Sequence, residues 1–478
     1  MQSMLRLGLV LGVAQALTTR AGLRRSAVSM SAAPVSAAPA VEEPVVAAPV
    51  LDKLRFLTAP QALEVREKFG TPCFVYDAAS LRARAAEAMA FPASYGLTVR
   101  YAMKACPNAA VLRLFLDAGL HFDASSTHEC RRAMHAGIPA NKISLSTQQL
   151  DGDFVELLKM GVMLNACSLQ QVEQFANAMP GAKLGLRFNP GLGSGGTSKT
   201  NVGGAGSSFG IWHGEVEKCM DWEAKGLIHV ERIHTHIGSG SNPEVWQKVS
   251  KMSLDLCAKF PGVEALNLGG GYKIARMAYE KSTVLATVGA PVAAEFEAFA
   301  KATGRQLRLE IEPGTYLVAN AGALVTSAQD VISTRAGEPQ GRDFIKLDCG
   351  MTEVMRPSLY GAQHPIVVVP GVPRVRGLPK EYVVVGHCCE SGDLLTPAPD
   401  EPETLAVRAL DEAKAGDVVV IESVGAYCAA MCTKHYNSFP EAPEVMLSTN
   451  GEMHCIRRRS SLDQIIMNEV PVDAAALL

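Results

Sequence analysis

The stretch TVRYAMKACPNAAVLRLFLDAGLHFDA, residues 98–124, decides the fold. Residues 98–103 are a short β-type run ending at Lys104. Residues 107–118 then carry Val111, Leu112, Phe115 and Leu116 at helical spacing, and Gly119 stops the helix. A second strand is expected at 120–124 and a second helix at 127–136. The unit recurs, with strands expected at 142–146, 162–168, 183–188, 230–236, 264–268 and 307–312. Eight strands, each but the last followed by a helix, over about 250 residues predict a (β/α)8 TIM-type barrel.

After Gly314 the texture changes. Val-rich runs at 366–369, 382–385 and 418–421 are separated by Pro and Gly segments, as in an all-β domain. The run at 73–76, ahead of the barrel, is expected to join that sheet. The expected layout is a leader and linker over 1–50, an N-terminal segment of the β domain over 51–90, the barrel over 91–315 and the β domain over 316–478.

Composition agrees with a globular chain. It has 478 residues, 48% hydrophobic and 19% charged, which excludes global disorder. Its 45 Lys+Arg balance 48 Asp+Glu, so no nucleic-acid partner is expected. The 12 Cys lack C-x-x-C pairs and are expected to be reduced. Residues 1–41 contain no Asp or Glu. Arg6, the apolar run 7–14 and Ala14-Gln15-Ala16 resemble a signal peptide too short to span a membrane. The Arg-, Ser- and Ala-rich residues 18–26 resemble a transit peptide, and 32–50 an Ala/Pro/Val linker. The series resembles the bipartite leaders of plastids bounded by extra membranes; a single signal or a mitochondrial presequence is the other reading.

Barrel active sites lie at the C-terminal ends of the strands. Those ends read Lys104, Asp123, Ser146, Arg187, His236, Gly269 and Glu312. A purely structural barrel needs no ionisable groups there. Lys104, partly desolvated, is expected to have a depressed pKa suited to covalent catalysis, although a solvated strand-capping lysine has the same sequence. His234 and His236 share a strand face, but no third ligand is near and no metal is expected. Gly238-Ser239-Gly240 and Gly269-Gly270-Gly271 can cradle a phosphate or simply turn the chain. Glu312, before Pro313-Gly314, can keep a pyridinium nitrogen protonated or cap its turn. A lysine, two glycine loops and an acid together point to pyridoxal phosphate; a barrel that binds phosphate alone stays open.

The chain resembles the fold-type III pyridoxal-phosphate decarboxylases, the group of ornithine and diaminopimelate decarboxylases, from about Gly70 to about Met446. The resemblance rests on Tyr101-Ala102-Met103-Lys104, Phe122-Asp123-Ala124-Ser125-Ser126, His236-Ile237-Gly238-Ser239, Gly269-Gly270-Gly271 and Glu312-Pro313-Gly314. Within the group, Cys388-Cys389-Glu390-Ser391-Gly392-Asp393 and Arg356-Pro357-Ser358-Leu359-Tyr360 look like the diaminopimelate enzymes.

The resemblance implies that Lys104 carries the cofactor and His236 stacks on its ring. It implies ring contacts for Asp123, Arg187 and Glu312, and cofactor contacts for Ser239, Gly271, Gly314 and Tyr427. Cys389 would reprotonate the substrate carbon, reaching across a homodimer interface into the other subunit's site. Arg356, Tyr360, Glu390, Tyr427 and Thr315 would meet the substrate, a small amino acid. The family often has Glu-Pro-Gly-Arg, with the Arg on a substrate carboxylate; here Thr315 stands in that place. A hydroxyl cannot replace a guanidinium fork. Another cation, Arg356 or a further Arg or Lys, then serves the carboxylate, or the substrate is ornithine, arginine or carboxynorspermidine. A racemase and a non-catalytic regulator of a decarboxylase are the remaining rivals.

Overall fold

In the computed structural model, residues 50–192, 203–236, 238, 242–375 and 377–477 are described. Residues 1–49 of the expected leader and linker over 1–50, and Ser239, therefore lie outside the described residues.

All eight expected strands form: Leu97–Ala102, His121–Ala124, Ile143–Leu145, Met163–Ala166, Lys183–Asn189, His229–Thr235, Ala265–Asn267 and Arg308–Ile311. They pair in parallel, the first beside the eighth and the fourth beside the fifth, which closes the ring. The short strand Ile211–Trp212 is appended to the fifth. Polar residues after several strands cap the helices that follow. Asn108 Oδ1 accepts from Ala110 N at 2.9 Å, Ser126 Oγ from Glu129 N at 3.1 Å and Ser168 Oγ from Gln171 N at 3.2 Å.

The two faces of the strands differ. Val99, Tyr101, Phe122, Leu164, Leu184, Leu186, Ile233 and Leu309 are buried on the face turned to the helices. The face turned to the axis carries Arg100, Asp123, Ser146, Asn165, Arg187, Arg232, His234, Asn267, Glu310 and Glu312, all buried. At its lower level Arg100 grips Glu310 through Nε at 2.8 Å and Nη2 at 3.0 Å, and Arg232 Nε reaches the same carboxylate at 3.0 Å. Burial would raise the Glu310 carboxyl, but Arg100 and Arg232 outweigh it and hold it well below the usual range. A register shift in the sixth strand pairs Val230 with Leu184 but Arg232 with Gly185, so Glu231 is the extra residue and the arginine turns inward.

A second sheet has the expected N-terminal contribution. Cys73–Asp77 lies antiparallel to Gly322–Ser333 and parallel to Glu444–Leu447. The expected runs appear as Ile366–Val369, Lys380–Val385 and Val418–Glu422. Gly322–Ser333, Asp343–Leu347, Glu444–Leu447 and Met453–Arg457 are further strands that no alternation marked. Gly322–Ser333 is the reason in miniature: buried on both faces to Ala328, half in solvent beyond it, it has no single period.

Candidate active site

Lys104 sits in a single 3-10 turn, Met103–Ala105, directly after the first strand. Its side chain is 49% exposed, and Nζ lies 4.0 Å from Asp123 Oδ2 and 3.5 Å from Ser125 Oγ. The expected depressed pKa is corrected here. Burial does act to lower it, but Asp123, Tyr427 and Glu312 outweigh burial and Arg187, and the lysine is held above its ordinary value. Three acidic or phenolic groups converge on this one cation.

The two carboxylates of the mouth are driven apart. Burial, then the charge of Glu312, pushes Asp123 well above the usual carboxylate range, and its Oδ1 is buried without a partner. Burial would raise Glu312 as well, but His234, His236 and Lys104 outweigh it and hold it low. Asn267 Nδ2 donates to Glu312 Oε1 at 2.6 Å. His234 Nε2 stands 3.3 Å from Oε2 without hydrogen-bond geometry. Burial keeps His234 itself low, so the uncharged Asn267 donor is the secure support of the Glu312 carboxylate.

His236 follows the sixth strand. Its Nδ1 accepts from Gly270 N at 2.9 Å, which leaves the proton on Nε2. Burial, then Arg187, lowers its pKa well below the ordinary value, so the ring is neutral. The glycine run is shaped around it. A Cβ at Gly269 would stand 2.2 Å from His236 Nδ1, and one at Gly270 would stand 2.2 Å from Glu312 O. Gly269 N donates to Asn267 Oδ1 at 2.8 Å. Gly271 is the member of the run whose N–H has no partner among the described residues. Arg187 is buried, with its guanidinium 5.5 Å from the Phe209 ring centroid. Beyond it Asn189 takes Gly191 N at 3.1 Å and Gly204 N at 2.9 Å, closing the base of the glycine-rich loop.

Tyr427 comes from the β domain. It has φ +57°, and its N–H donates to Ala105 O at 2.9 Å, beside Lys104. A Cβ at Gly314 would stand 3.2 Å from its hydroxyl. Thr315 opens the short helix Thr315–Val318, and Arg356 and Tyr360 bound the helix Arg356–Tyr360. Arg356 Nη1 lies 3.0 Å from His364 Nε2.

Cys389 and Glu390 stand apart. Both are exposed, and no hydrogen bond or ion pair joins them to the Lys104 cluster among the described residues. Their loop is pinned from beneath by Asp393, which accepts from Cys388 N at 2.8 Å and Met351 N at 2.7 Å. Cys389 is thus not a buried inert thiol; burial pushes its neighbour Cys388 up to about 12.

The residues present fit pyridoxal phosphate. The half-exposed lysine, the orphaned Asp123 Oδ1, the ionised buried Glu312 and the cradle that a Cβ at Gly269 or Gly270 would fill are its requirements. Sequence reasoning passed over Asn267, two residues before Gly269 on the same strand face. It set His234 aside with the metal question; its place is beside Glu312.

Known proteins agree. The family described as "Pyridoxal-dependent decarboxylase, pyridoxal binding domain" matches residues 79–319. A diaminopimelate decarboxylase of Escherichia coli is 33% identical over 422 residues, covering 87% of this chain and 97% of that one. A crystal structure of diaminopimelate decarboxylase superposes with a TM-score of 0.79 at 33% identity, over 86% of this chain and 96% of that one. The Helicobacter pylori diaminopimelate decarboxylase complexed with L-lysine gives 0.74 at 26% identity, over 85% and 98%. With a relative this similar over nearly its whole length, the chain belongs to the diaminopimelate decarboxylase family of pyridoxal-dependent decarboxylases.

Proposed function

We propose that this protein removes CO2 from meso-2,6-diaminopimelate to yield L-lysine, as a homodimer with shared sites in the plastid. The observation that carries the reaction is the convergence of Lys104, Asp123, His236 and Glu312 at the strand ends of a barrel whose relatives bear that activity in their names. Pyridoxal phosphate, when bound, supplies the sink for the electron pair that departing CO2 leaves behind. Lys104 holds it at the mouth. Glu312, ionised and buried, keeps a proton at the ring nitrogen. His236, neutral and fixed by Gly270, offers an uncharged ring face. Gly271 N–H, with Ser239, takes the phosphate, and Arg187, Asp123, Gly314 and Tyr427 border the cofactor. Tyr360, Arg356 and Thr315 line the substrate side.

Cys389 delivers the proton to the carbon that lost CO2, and Glu390 holds the distal ammonium. Their exposure on one chain, away from that chain's Lys104, supports their serving a second subunit's site. The acid-free stretch 1–41 supports plastid import, and a reporter fused behind residues 1–50 is expected in the plastid; accumulation in mitochondria contradicts it. The activity is tested by CO2 release from meso-diaminopimelate beside ornithine, arginine and carboxynorspermidine. Release from meso-diaminopimelate alone is expected, and preference for any of the others overturns the reading.

A further inference from the structure

Thr315 leaves a gap in the charge scheme of the site, and the fold ties the segment of a buried arginine to the helical stretch that Thr315 opens. Arg276 follows the glycine run of the seventh strand. Its side chain is only 9% exposed, and its Nε lies 3.4 Å from Ser423 O. Arg356 is anchored on the adjoining carbonyl through one intermediary: its Nη1 stands 3.0 Å from His364 Nε2, and His364 Nδ1 donates to Glu422 O at 3.1 Å. Two arginines are therefore held on consecutive carbonyls of one turn. That turn continues to Tyr427, whose hydroxyl closes on Gly314, the residue before Thr315. On the other side Asn320 Nδ2 donates to Ala275 O at 3.0 Å, tying the Arg276 segment to the helical stretch that Thr315 opens.

Neither guanidinium has a carboxylate within ion-pair distance among the described residues, although other buried cations here do, as Arg100 and Arg232 show. Glu280, the nearest acid in sequence, spends Oε2 on the backbone N–H groups of Arg276 and Met277. Burial, then the charge of Arg356, pushes Arg276 down to about 9, the condition of a cation that lacks its anion. A like-charged pair, Arg276 buried and Arg356 half-buried, costs stability without a counter-charge, and a carboxylate accepting from both forks would relieve it.

We propose that Arg276, with Arg356, binds the distal carboxylate of the substrate, the one that is retained, and so performs the task that Thr315 cannot. The proposal rests on the decarboxylase reading above and names its specificity residue. It explains how a chain without the family arginine still selects a substrate carrying a second carboxylate.

The test uses the holoenzyme and its Arg276→Gln, Arg276→Lys and Arg276→Gln/Thr315→Arg variants. KM for meso-diaminopimelate and inhibition by L-lysine, which keeps the distal carboxylate, are compared with inhibition by cadaverine, which lacks it. Losing a charge-assisted fork is expected to raise KM and weaken L-lysine inhibition about 10- to 100-fold in Arg276→Gln, with cadaverine inhibition unmoved. Arg276→Lys should fall between, and Thr315→Arg should restore much of the loss. Unchanged KM, or equal weakening of L-lysine and cadaverine, overturns the proposal. If Arg276→Gln does not fold, Arg276→Lys decides by the same comparison. Wild-type enzyme inactive on meso-diaminopimelate would sink the underlying reading instead, a distinguishable result.

Discussion

Lys104 and Glu312 do different work, and their substitutions should separate. Lys104→Ala is expected to abolish both the visible absorbance of the bound cofactor and CO2 release; an unchanged spectrum would remove the lysine from its role. Glu312→Gln keeps the shape and the Asn267 contact but loses the charge that holds the ring-nitrogen proton. Its kcat should fall about 100-fold or more, the scale of a positioned acid–base group, with the spectrum still present. Cys389→Ala should leave cofactor binding intact and slow turnover, and normal turnover would mean that another acid delivers the proton. At this scale Lys104, Asp123, Arg187, His236 and Glu312 were legible because each is a charged or imidazole group closing an apolar run. Lys104's charge state was not: it depends on Asp123, Tyr427 and Glu312, which come from three distant segments. Arg276 was hidden for the same reason, since only folding sets it beside Arg356.

Among the elements, the barrel strands show what alternation reveals and what it conceals. The strand–helix rhythm located all eight, but Arg100, Arg232 and Glu310 inside them become one network only when the ring closes. Removing its acid should strand two buried guanidinium groups. Glu310→Gln is expected to cost about 3–5 kcal/mol, read as a lowered unfolding midpoint in urea, and a loss under about 1 kcal/mol would show the network to be dispensable. The strand Val418–Glu422 carries a pH-dependent element of its own. Burial pushes Glu422 up to about 7; Oε1 accepts from Arg55 N at 3.1 Å while Oε2 has no partner. A carboxyl raised in the fold contributes stability that is full below its unfolded value of 4.5 and lost as pH rises through about 7. Glu422→Gln should therefore gain stability relative to wild type between about pH 5 and 8. A constant difference across that range would contradict the assignment.

The whole molecule joins a polar-lined barrel to a sheet that borrows Cys73–Asp77 from ahead of it, and this joint brings Tyr427 to Lys104. Their chemistry divides between what one chain assembles and what it leaves exposed. If Cys389 serves a second subunit, mixing inactive Lys104→Ala with slow Cys389→Ala protein should recover about a quarter of wild-type turnover, because random pairing gives half the dimers one complete site. Turnover no greater than the sum of the separate variants would place the thiol in its own chain's site. No helix among the described residues is long and apolar enough to cross a membrane. The central claim is the reaction itself, and product analysis with purified protein and added pyridoxal phosphate tests it most directly. The account predicts one CO2 and one L-lysine for each meso-diaminopimelate consumed. Retained carboxylates with an altered stereocentre, or no turnover at all, would contradict it.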